Sequence, residues 1–121
     1  MKETIMKYLL LLYADEKQWP SLSQEEMGKV MAAYGAYTEA VTAAGVRLGS
    51  NRLRDTDTAT SVRIVNGETK VLDGPYAESK EQLGGYYLID VPDLDTALSW
   101  AARCPGASHG TVEVRPIWEM Y

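Results

Sequence analysis

Apolar and polar positions change their spacing several times along the chain, and each change marks an element. Tyr8-Leu9-Leu10-Leu11-Leu12-Tyr13 is continuously apolar and stops at Ala14-Asp15, the pattern of a short central strand covered on both faces. Ser23-Gln24-Glu25-Glu26 has capping-box form, in which the Ser23 hydroxyl and the Glu26 carboxylate each satisfy a backbone donor, so a helix starts at Ser23. Met27, Val30, Met31, Tyr34, Tyr37, Val41 and Ala44 recur at three- and four-residue intervals up to Gly45. That is one apolar helix stripe with a left-handed terminator.

Val46 to Leu53 reads as a weaker strand, followed by the polar connector Arg54-Asp55-Thr56-Asp57-Thr58. Ser61 to Val65 and Thr69 to Leu72 flank Asn66-Gly67, the pair that most readily supplies two positive φ angles to a tight hairpin. Leu83 to Val91 is a further strand, and Asp93 caps a second helix with Leu94, Ala97, Leu98 and Ala101 on one side. Cys104-Pro105-Gly106 stops that helix, and Thr111 to Glu119 forms a last strand with Val112, Val114 and Trp118 on one face.

The resulting order, strand, helix, strand, inserted hairpin, strand, helix, strand, predicts an α+β fold of ferredoxin-like topology with two helices on one face of an antiparallel sheet. The other face is then bare, lined by Leu and Tyr residues of the first and fifth strands. Covering it with a second copy is the simplest way to avoid a large exposed apolar patch, which predicts a homodimer. Residues 6–121 read as one domain preceded by a leader of residues 1–5, and Met6 is an alternative start.

With 121 residues, 45% of them apolar, the chain suits one globular domain. A net charge of −5 with acids and bases interspersed argues against nucleic acid as a partner. The lone cysteine, Cys104, excludes an internal disulfide and points to a reducing, cytoplasmic setting; with His109 the only histidine, ligands are too few for a structural zinc site. The run from Tyr8 to Ala14 is far shorter than the ~20 residues of a membrane span. Gly84-Gly85 lacks the spacing of a dinucleotide-binding loop, and no other cofactor motif is visible.

Asp73-Gly74-Pro75-Tyr76-Ala77-Glu78-Ser79-Lys80-Glu81-Gln82-Leu83-Gly84-Gly85-Tyr86-Tyr87 resembles the signature of the DGPF-motif group of the YCII-related family, with Tyr76 at its phenylalanine. Met6-Lys7-Tyr8, Val91-Pro92-Asp93-Leu94-Asp95 and Val112-Glu113-Val114-Arg115-Pro116 extend the resemblance over nearly all of Met6 to Glu119. It implies a dimeric α+β barrel built from two ferredoxin-like sheets. In bacteria such proteins tend to be encoded beside extracytoplasmic-function sigma factors, which implies a sigma factor as an alternative partner. Better studied relatives have been proposed to use a helix histidine with an Asp-Pro step. Here the first helix carries Tyr34 and Tyr37, and the comparable step is Cys104-Pro105, so that chemistry does not transfer.

Asp73-Gly74-Pro75 is explained as a tight turn, from which Tyr76, Glu78 and Lys80 project as candidate binding groups. Asp15 follows the first strand, where burial in a cleft would raise its pKa and make it a base; solvated loop acids are the commoner case. The expected site is a small-molecule pocket between sheet and helices, walled by Tyr13, Tyr34, Tyr87 and the Asp73 to Lys80 loop. Turnover there would be acid–base chemistry by Asp15 or Glu78. The competing reading is a non-catalytic regulatory or interaction protein. His109 reads as a solvated turn residue, Cys104 as a weak nucleophile beside a helix end. Arg47, Arg52, Arg54 and Arg63 form either an anion-binding patch or a solvated sheet face.

Overall fold

A computed structural model of the chain describes residues 6–119; the leader of residues 1–5 lies outside them. In order come β1 (Met6–Ala14), a 3-10 turn (Glu16–Ser21), α1 (Gln24–Ala43), β2 (Arg47–Arg52) and a second 3-10 turn (Thr56–Thr58). β3 (Thr60–Val65), β4 (Glu68–Asp73), β5 (Gln82–Val91), α2 (Leu94–Arg103), the short α3 (Gly106–His109) and β6 (Thr111–Pro116) follow. Four strands form an antiparallel sheet in the order β2-β5-β1-β6, the mixed α+β, ferredoxin-like arrangement, open and not closed into a barrel. No helix among the described residues is long and apolar enough to cross a membrane.

Local chemistry sets the ends of these elements. The Ser23 hydroxyl accepts from the Glu26 N–H at 3.1 Å while the Glu26 carboxylate accepts from the Ser23 N–H at 2.9 Å, so both halves of the capping box form. The Ser23 backbone N–H, and after it the Ser23 side chain, hold the Glu26 carboxyl below the usual range. Asp93 accepts from the Thr96 N–H and hydroxyl at the start of α2. Asn66 and Gly67 take φ values of 51° and 78°, which closes β3 on β4 in the tight turn that this residue pair favours.

The core lies between the sheet and the helices. Tyr8 and Leu10 of β1, Tyr87, Ile89 and Val91 of β5, Tyr37 and Val41 of α1, and Ala97 and Ala101 of α2 form one buried cluster. Alternate residues of β1 and β5 supply it, as a two-residue period requires. Tyr37 meets Tyr87 edge-to-face at 5.1 Å and donates its hydroxyl to the Trp100 carbonyl at 2.8 Å. Tyr37→Phe is therefore expected to lower unfolding free energy by about 1 kcal/mol, read from the midpoint of urea unfolding at unchanged slope.

Four expectations need correction. β6 ends at Pro116; one further backbone bond runs from the Ile117 N–H to the Lys7 carbonyl at 2.8 Å, and Trp118 lies beyond it, 86% exposed. Leu94 and Leu98 are about half exposed, because α2 meets the sheet through Ala97 and Ala101. Met31 and Ala44 are exposed although their spacing matches the α1 stripe. β1 is central, yet only its Tyr8–Leu10 side is covered by helices; Leu9 and Leu11 stand half-buried on the open face.

The β3–β4 hairpin is a separate two-stranded sheet. All but Ser61 of its strand residues are exposed, with Val62, Ile64 and Val71 each at least 60% so. Val62 faces Val71 and Ile64 faces Thr69 across the ladder, giving the hairpin one apolar side with no cover among the described residues.

Candidate functional site

A cavity of about 380 Å³ opens on the helix side of the sheet, at the end where β1 runs out and β5 begins. β1 lends it Leu12 and Tyr13; α1 lends Met31, Tyr34 and Thr38; Ser50 to Asp55 of β2 and its exit form a third side. Glu16 and Trp19 of the first 3-10 turn, Gln82 and the Gly84 to Tyr87 stretch of β5, and Gly106 and His109 of α3 complete it.

Small residues create the space. Ser50, Gly84, Gly85 and Gly106 occupy wall positions where larger side chains would fill it. A methyl group on Gly106 would lie 2.9 Å from the Tyr34 hydroxyl and 3.4 Å from Leu12, so this glycine gives the phenol its room. On Gly85 it would sit 3.0 Å from the Asn51 carbonyl oxygen, the close strand approach that explains the glycine pair. The β1–β5 register changes between Leu12 and Tyr13, with Leu12 opposite Gly85 and Tyr13 opposite Leu83. A bulge of this kind re-aims the strand, and both consecutive residues, Leu12 and Tyr13, line the cavity.

Burial raises the Tyr34 phenol to about 12, against a smaller lowering by Arg52; it stays protonated and is a hydrogen-bond donor at neutral pH. Tyr87 is raised by burial too, partly offset by its 2.7 Å hydrogen bond with the Thr38 hydroxyl. Glu16 lines the cavity, but its carboxylate accepts the Thr56 N–H and hydroxyl, and its own N–H donates to Gln82 Oε1 at 3.0 Å. Trp19 and His109 stand edge-to-face at 6.2 Å.

Among the sequence candidates, Tyr13, Tyr34 and Tyr87 line the cavity, and Asp15, Asp73, Tyr76, Glu78 and Lys80 do not. Asp15 caps the first 3-10 turn, accepting the Lys17 N–H at 3.0 Å. Asp73 ends β4 opposite Thr60, and Gly74, at φ 112°, donates its N–H to the Ala59 carbonyl at 2.7 Å, so this stretch acts as the hairpin exit. Tyr76 is 81% exposed, and Glu78 and Lys80 are exposed on the same loop. His109 is exposed yet belongs to the wall. Cys104 is buried, and burial pushes its thiol up, away from a nucleophilic thiolate. Of the four arginines, Arg52 and Arg54 line the cavity, Arg47 donates to Ser50 Oγ at 2.9 Å, and Arg63 lies on the hairpin. Trp19 had no sequence signal, since its place depends on the turn that folds it back over the strand ends.

A family model described as YCII-related domain matches residues 6–121. The chain is also 43% identical over 114 residues to an uncharacterized protein of Rhizobium meliloti (strain 1021), the match covering 93% of this chain and 92% of that one.

Proposed function

Because the chain belongs to the YCII-related family, whose resemblance implies paired sheets, we propose that it is a homodimeric small-molecule-binding protein whose ligand occupies the cavity of each protomer. The observation that carries the reading is the cavity itself: it has the size of ligand sites and aromatic walls. Acid–base chemistry by Asp15 or Glu78 has no support from it, since neither residue lines that space.

The dimer reading rests on the open sheet face. Leu9 opposes Leu88 and Leu11 opposes Tyr86 across the two central strands, an apolar stripe that no helix among the described residues covers. Asp90, opposite Lys7 on the same face, has one shielded carboxylate oxygen with no donor among the described residues. Buried polar atoms of this kind are normally paired, and a second copy would both cover the stripe and offer a donor.

Native mass spectrometry tests both halves together. The expected species is twice the chain mass with additional small-molecule mass that is lost on denaturation. A monomer would reject the dimer, and a ligand-free dimer would move weight to the alternative, a regulatory protein that binds an extracytoplasmic-function sigma factor. The apolar side of the β3–β4 hairpin favours that second reading. Stoichiometric recovery of a sigma factor that is lost when Val62 and Ile64 become serine would establish it.

A further inference from the structure

We propose that the cavity takes a single-ring organic anion, with its carboxylate held by Arg52 and Arg54 and its ring set among Tyr13, Trp19 and Tyr34. This rests on the reading of the cavity as a ligand site and names what enters it.

The argument comes from sorting the polar wall groups by whether the protein already uses them. Glu16 is taken by Thr56, Thr38 by Tyr87, Ser50 by Arg47 and Asn51 by Tyr86. Gln82 is engaged at both ends, accepting from the Glu16 N–H and donating to the Ser79 carbonyl. What remains is lopsided. Arg52 reaches only the Met31 sulfur, at 3.7 Å, a weak acceptor, and neither Arg52 nor Arg54 belongs to an ion pair among the described residues. The hydroxyls of Tyr13 and Tyr34 and the indole N–H of Trp19 have no protein partner there either. Against these donors stands one uncommitted carboxylate, Asp55.

With Asn51 Oδ1 and the His109 ring as the other open positions, the uncommitted wall groups are mostly donors and suit an acceptor-rich ligand. Two guanidinium groups on one side make that ligand anionic, since their planar forks match a carboxylate in bidentate fashion. A cation would face both arginines, and of the two wall carboxylates Glu16 already accepts from Thr56, which leaves Asp55. Tyr34 adds a neutral phenol donor on the α1 side. The aromatic surfaces of Tyr13, Trp19 and Tyr34 supply flat apolar contact, and a volume of about 380 Å³ is near the lower end of ligand pockets, which suits a single ring.

The test is protein-observed NMR on the full chain with benzoate, benzamide, benzylamine and inorganic phosphate, following the Trp19 indole N–H. Benzoate is expected to shift it saturably, with the other three at least about tenfold weaker. Arg52→Gln should weaken benzoate by a similar factor and leave benzamide unchanged, while Arg63→Gln, on the hairpin, should change neither. Benzamide or benzylamine binding as tightly as benzoate, or benzoate indifferent to Arg52→Gln, overturns the anion assignment and keeps the cavity as a ligand site. Phosphate matching benzoate overturns the ring. No shift at Trp19 with any of the four rejects both the anion and the ligand-site reading.

Discussion

Gly110→Ala is expected to destabilise the protein by about 3 kcal/mol, the upper part of the range for forcing atoms into packed space. Gly110 takes φ −160°, and the contacts of an added methyl decide the outcome. A methyl group there would lie 2.0 Å from the Tyr13 carbonyl oxygen and 3.0 Å from the Ala14 Cα, and both are backbone atoms of the central strand. Neither can rotate away. Gly110 also donates its N–H to the Gly106 carbonyl at 2.8 Å, which ties α3 to the start of β6, so relief of the clash would move α3 off the cavity. Thermal unfolding should show a drop on the order of 10 °C for a chain of this size. Gly28→Ala is the matched control: it lies inside α1 with nothing within 4 Å of an added methyl, and should stabilise by about 0.5–1 kcal/mol. Equal melting temperatures for the two variants would mean that β1 and the α3–β6 corner do not approach as described.

Leu88→Arg should convert the proposed dimer to a monomer with little loss of fold. Leu88 is half-buried on the open face of β5, opposite Leu9 and beside the Leu11–Tyr86 pair. In the monomer a long cationic side chain there reaches water with its stem along the sheet. In a dimer the same charge would be trapped between two apolar stripes, twice by symmetry, at a cost of several kcal/mol. Dissociation should therefore strengthen by about 10³-fold or more, visible as half the mass in sedimentation equilibrium at micromolar protein. Leu98→Arg, on the exposed side of α2, should leave the dimer intact. A Leu88→Arg dimer as tight as the wild type would remove the sheet face from the interface.

Elements whose signal is local were legible in the sequence. The Ser23–Glu26 box, the Asn66-Gly67 turn and the Asp93 cap each depend on residues within three positions of one another, and each formed as its chemistry requires. The strand order also followed from element types and from the rules of connection. Failures began where a residue's fate depends on distant partners. Trp118 has the spacing of β6 but follows Pro116. Leu98 has the spacing of the α2 core face, and the small Ala97 and Ala101 took the contact. The cavity was partly legible, through the tyrosines that share its walls. Its charged rim was half legible: Arg52 and Arg54 stood among four arginines read as either an anion-binding patch or a solvated face, whereas Trp19 joins them only through the turn after β1. Within the conspicuous Asp73 to Lys80 motif, Gly74 bonds back to Ala59 and Ser61 at the hairpin exit.

The pairing of β1 has a consequence for synthesis. Its two neighbours, β5 and β6, begin at Gln82 and Thr111, so the leucine-rich strand made early on the ribosome has no native partner until far more chain exists. At about 5–20 residues per second, the stretch from Tyr13 to Gln82 alone takes about 3 to 14 seconds. During that interval the β3–β4 hairpin is the only described sheet element that can pair locally. Tyr8 to Tyr13 emerges with α1 as its first native neighbour and no strand to pair with, which places the sheet among the slow, non-local closures rather than the fast helical ones.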